Sequence, residues 1–73
     1  DGVLYYHDQT LEYILDNLAA YYQSKVVFRN PAVKTKHLDF SADKSGSIED
    51  AIGLLNNLGV AKVSFKGNTI YIE

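Results

Sequence analysis

The residues best suited to chemistry lie close together near the start, in the stretch YYHDQTLEYI at positions 5–14. His7 precedes Asp8, and Glu12 stands four residues before Asp16, a spacing that would align two carboxylates on one helical face. A His–Asp pair suggests a base held by a carboxylate, but that arrangement needs the carboxylate at the far ring nitrogen and a nucleophile at the near one. Neighbours in a strand point to opposite faces, so His7 is expected as a solvent-facing strand-end residue. Asp8 is expected to accept from free N–H groups at a helix entry. A metal would want more ligands than Glu12 and Asp16, and His7 and His37 sit at unrelated positions with no HxxxH or ExxH grouping. The segment KSGS at 44–47 offers N–H groups to an anion, yet no GxGxxG or GxxxxGKS accompanies it, nor a lysine in the following helical turn. No enzyme activity, metal or cofactor is expected.

The bulk numbers narrow the classes further. A chain of 73 residues, 47% hydrophobic and 22% charged, has the length for one core and the composition to fold. Seven basic and nine acidic residues give a formal charge of −2, and the lysines are scattered along the chain, which argues against nucleic acid as a partner. No stretch has the length of a membrane span and no amphipathic segment has a basic polar face, so no direct membrane contact by this domain is expected. Without cysteine there is neither a disulfide framework nor a thiolate zinc site. The lack of methionine and the start at Asp1 lead us to expect a single domain over residues 1–73 excised from a longer chain.

The pattern predicts the elements that must position these residues. VLYY at 3–6 reads as a strand, and Leu11, Ile14, Leu15, Leu18 and Tyr22 form one face of a helix capped by Thr10, with Glu12 in its first turn. KVVF at 25–28 reads as a strand stopped by Asn30 and Pro31, and 34–41 as another, with Leu38 and Phe40 alternating. Ser47 opens a second helix in a capping box with Asp50, its apolar stripe being Ile48, Ala51, Ile52, Leu55 and Leu58, and Gly59 ends it. The end of the chain reads as a hairpin about Gly67 and Asn68, pairing Val63 with Ile72 and Phe65 with Ile70. The order is β-α-β-β-α-β-β, an α+β domain with two helices packed against small sheets.

Six tyrosines are the one compositional excess. Tyr6 and Tyr22 fit core positions, whereas Tyr5, Tyr13, Tyr21 and Tyr71 fall off the main stripes and are candidate protein-binding residues, since tyrosine buries a large rigid ring and keeps a polar tip. An open sheet with edges could also accept a partner strand, with Lys34, Lys36 and Asp39 as charges guarding one edge.

Element order and anchor residues together resemble a known family. Leu4 and Tyr6 before HDQT and Leu11, then L..IL..LA.YY....VVF.N over 11–30, LDFSAD, SIEDAI..L and V.F.GNTIYI, resemble the C-terminal domain of FecR-type anti-sigma regulators, in the Bacteroidetes form. That domain is related in fold to the short N-terminal domain of secretins and TonB-dependent transducers. The compact LLNNLGVAKVSF region is closer to the transducer type. The resemblance implies a periplasmic protein-interaction domain of a single-pass inner-membrane regulator. It would receive a signal from the N-terminal domain of a TonB-dependent outer-membrane receptor, linking transport to transcription. The alternative it leaves is an N-terminal signalling or structural module of a TonB-dependent receptor or a secretin. Neither carries catalytic residues.

Overall fold

A computed structural model describes residues 2–73; the expectation drawn from Asp1 lies outside them. The chain runs β1 (Val3–Thr10), α1 (Leu11–Tyr22), β2 (Lys25–Phe28), a 3-10 turn (Pro31–Thr35), β3 (His37–Asp43), α2 (Ile48–Leu58), β4 (Val63–Lys66) and β5 (Thr69–Ile72). The α+β order expected from the pattern is the order found. Pairing divides the strands into two sheets, an antiparallel β1–β3 pair and a three-stranded sheet in the order β2-β5-β4. In the larger sheet β2 runs parallel to β5, and β4 and β5 form the expected hairpin with Val63 opposite Ile72 and Phe65 opposite Ile70.

Local chemistry sets the helix ends. The Thr10 hydroxyl accepts from the Tyr13 N–H at 3.1 Å. Ser47 accepts from the Asp50 N–H at 3.1 Å while the Asp50 carboxylate accepts weakly from the Ser47 N–H at 3.4 Å. Gly59 closes α2 at φ 73°, in the left-handed region. The exit of α1 falls on Gln23, at φ 56°, in the left-handed region. The Asn68 amide donates to Gln23 O at 3.0 Å, and the Lys25 N–H donates to Asn68 O at 3.0 Å. The hairpin turn thereby anchors the end of α1 and starts the parallel pairing of β2 with β5.

Both helices turn their apolar stripes inward. Leu11, Ile14, Leu15 and Leu18 of α1 and Ala51, Ile52 and Leu55 of α2 meet Tyr6, Phe40, Val63, Ile70 and Ile72 in one core. Tyr6 stacks near Phe40 and meets Tyr13 edge-on, with ring centroids 6.5 and 6.2 Å apart.

Four expectations fail for physical reasons. Lys34 lies in the 3-10 turn that Asn30 and Pro31 initiate, so β3 begins at His37 and continues to Asp43. Neither lysine guards a strand edge: Lys34 pairs with Glu12 at 3.5 Å over the Phe28 ring, and the Lys36 ammonium reaches Val60 O at 3.5 Å. β1 does not stop at Tyr6. It passes through a bulge between Tyr6 and Gln9, with Asp8 at φ 50°, and resumes pairing as far as Thr10. Leu58 is not core, because the stripe of α2 rotates past the sheet by its last turn and leaves this residue 49% exposed.

Candidate interaction surface

The bulge rearranges the residues that opened the sequence. Asp8 does not serve the helix entry. Its N–H donates to Asp39 Oδ1 at 2.7 Å, and its carboxylate lies 3.1 Å from the His37 ring. His7 lies 3.2 Å from Asp39, so it has a partner across the strands. Two His–Asp contacts thus cross between β1 and β3, each joining the histidine of one strand to the aspartate of the other. The sequence separation of about 30 residues hid this, because register depends on a bulge that local pattern does not announce. All four side chains are mostly exposed, and among the described residues no three His, Cys, Asp or Glu side chains converge to hold a metal ion. Exposed pairs of this kind brace the bulge; they contribute little individually.

An apolar groove adjoins the His7–Asp39 contact on the outward face of the β1–β3 pair, with Asp39 at its rim. Tyr5 on β1 and Leu54 and Leu58 on α2 are 68%, 45% and 49% exposed, large values for such side chains. With Asp39, Phe40, Ser41 and Asn57 they line a groove of about 310 Å³ between the outward face of the β1–β3 pair and the flank of α2. Alternation along β1 turns Tyr6 inward and leaves Tyr5 over this groove, and the i, i+4 spacing brings Leu54 and Leu58 into one row. Leu54 was missed because it lies off the main stripe of α2. The usable signal was a second apolar row beside that stripe, wider than one sheet face can cover.

The four candidate tyrosines have separate surroundings. Tyr5 overlooks the groove. Tyr13 covers Tyr6, and the Tyr21 hydroxyl donates to Lys44 O at 2.9 Å while its ring meets Tyr22 edge-on. Tyr71 lies on the outward face of the three-stranded sheet beneath the Arg29 guanidinium, 4.5 Å from the ring centre. Tyr22, half-buried, donates to Gly46 O at 3.1 Å, and burial, with Tyr21, Asp50 and Asp43 nearby, pushes its phenol above the usual range.

Among the described residues no helix is long and apolar enough to cross a membrane. No curated protein and no solved structure matches the chain. The family profile described as "FecR, C-terminal" matches residues 3–72, from the first residue of β1 to the last of β5. The chain therefore belongs to the FecR C-terminal domain family, a membership that supports a signalling role in the periplasm.

Proposed function

We propose that this domain is the periplasmic receiver of a transmembrane anti-sigma regulator anchored in the inner membrane. Its partner is the N-terminal signalling domain of a TonB-dependent outer-membrane receptor, and its contact surface is the groove of Tyr5, Leu54 and Leu58. The observation that carries the reading is this row of exposed large apolar side chains beside an open strand pair, in a domain of the FecR C-terminal family. An aromatic anchor flanked by leucines and rimmed by Asp39, Ser41 and Asn57 has the chemistry of an interface centre with a polar rim. Tyr13, Tyr21 and Tyr71 would contribute only where the partner extends past the groove.

Titration calorimetry of the domain against the signalling domain of its receptor tests this. Leu54→Asp and Tyr5→Ala should each weaken binding by about tenfold or more while the far-ultraviolet spectrum stays unchanged. Undiminished affinity in both variants would remove the groove from the interface. Absence of binding by the wild-type domain would remove the receptor as the partner.

A further inference from the structure

The outward face of the three-stranded sheet carries a charge pattern that the groove does not use. Pairing across β2, β5 and β4 aligns Lys25, Thr69 and Lys66 in one row and Val27, Tyr71 and Ser64 in the next. A third row, Arg29, Glu73 and Lys62, continues the ladder. It is held by the Arg29 N–H on Ile72 O and the Glu73 N–H on Lys62 O, both at 2.8 Å. Strand alternation puts all three rows on the side opposite the buried Val63, Ile70 and Ile72. The four corners, Lys25, Lys66, Arg29 and Lys62, are cationic. A chain with net charge −2 thus places four of its seven basic residues and one of its nine acidic residues on a single face.

The centre of that face suits a polypeptide. Tyr71 lies in the middle with Arg29 stacked over it, and Val27 beside it is 42% exposed. Glu73 binds Arg29 through Oε2 and Nη1 at 2.8 Å, a carboxylate of this chain on one prong of a fork that retains further donors. Lys25, Lys62 and Lys66 form no ion pair among the described residues. Strand spacing and rise make the cationic frame about 10 Å by 13 Å, the reach of a short segment bearing two or three carboxylates.

We propose that this face binds an acidic polypeptide segment of a partner protein, its carboxylates on the corner cations and an apolar or aromatic side chain on Tyr71 and Val27. The proposal rests on the reading of the domain as a protein-interaction module and adds a second surface with the chemistry of what it meets. A bilayer is the poorer fit, because Val27 is the one large aliphatic side chain exposed here and Glu73 stands in the outer row. Nucleic acid would meet a domain whose net charge repels it.

Amide and arginine side-chain shifts of the isotope-labelled domain, titrated with a synthetic peptide of alternating Glu and Leu, test the proposal. Expected are perturbations within residues 25–29, 62–66 and 69–73, with affinity falling about threefold or more between about 20 mM and 150 mM salt. Lys62→Glu/Lys66→Glu, folded by its amide spectrum, should bind at least about fivefold more weakly. The proposal is overturned if a Lys/Leu peptide of the same pattern binds as well, if shifts fall on Tyr5 and Leu54 instead, or if the charge reversal changes nothing. Tighter binding to phosphatidylglycerol vesicles or to a single-stranded oligonucleotide than to the acidic peptide overturns it too. A receptor domain that fails to bind while the peptide binds as described removes the functional reading and supports this one. A receptor domain that binds the groove while the peptide leaves the sheet face unperturbed does the reverse.

Discussion

Asn56 on α2 hydrogen-bonds both backbone groups of Val63, donating from Nδ2 to its carbonyl at 2.8 Å and accepting from its N–H at 2.7 Å. The side-chain amide thus acts as one residue of an additional strand against the edge of β4. It satisfies polar groups that the hairpin leaves unpaired there, and it locks α2 to the sheet on which its apolar stripe packs.

Replacing Asn56 with Ala should therefore cost about 2 kcal/mol, because two half-buried backbone groups lose their partner at once. In a domain of this size that corresponds to a fall of roughly 10 °C in Tm, read by thermal denaturation. A fall of only one or two degrees would mean that water replaces the amide without penalty.

Gly67 and Asn68 turn the terminal hairpin at φ 58° and 63°, the pair of left-handed conformations of a two-residue hairpin turn. Gly67→Val should destabilise the domain by about 1–2 kcal/mol, since a β-branched side chain resists that backbone shape although no atom crowds the position. An unchanged Tm would show that the turn relaxes into another type.

Asp39 is the acceptor that stabilises the bulge of β1, taking the Asp8 N–H at 2.7 Å and standing 3.2 Å from the His7 ring. Asp39→Ala should cost about 1 kcal/mol and loosen the amide protection of Asp8. Asp39→Asn keeps an acceptor oxygen and should lose less than half as much. Hydrogen exchange compared across the two variants separates the hydrogen bond from the charge.

Acid and alkali should act at different sites. The N–H and hydroxyl of Ser45 both donate to Asp43, at 2.9 and 2.8 Å, and hold its carboxyl below the usual range. Its folded-state value is the lower one, so the contribution is present above the unfolded value and is lost as pH falls through the folded value. The Tm gap between wild type and Ser45→Ala should therefore close on acidification.

Tyr22 and Tyr6 behave oppositely. Burial raises both phenols in the folded state, with Tyr13 adding to the effect at Tyr6. Their contribution is complete below the ordinary phenol range and is lost as pH rises through the raised values. Tyr22→Phe should cost about 1 kcal/mol at neutral pH through its lost bond to Gly46 O, and the gap to wild type should narrow under alkaline conditions. A constant gap across a Tm series from neutral to alkaline pH would show that the hydroxyl does not titrate in the folded domain.

The sequence by itself determined whatever rests on neighbours within about four residues or on strict alternation. Helix α1 begins at Leu11 because Thr10 caps it, α2 at Ile48 because Ser47 and Asp50 close a box, and the hairpin register follows from period two on both arms of the Gly67-Asn68 turn. The family pattern was legible for the same reason, being a succession of such local signals. Beyond that hairpin, tertiary structure alone decided which strands lie side by side, and with them how each candidate surface assembles. The division into two sheets turned Lys25, Arg29, Lys62 and Lys66, scattered in sequence, into the corners of one frame, and the bulge at Asp8 brought two distant histidines to two aspartates. The groove arose because the flank of α2 bearing Leu54 and Leu58 comes to rest beside β3 with Tyr5 opposite. These juxtapositions depend on long-range pairing and on the rotation of a helix over its sheet, and no residue carries that information in its own neighbourhood.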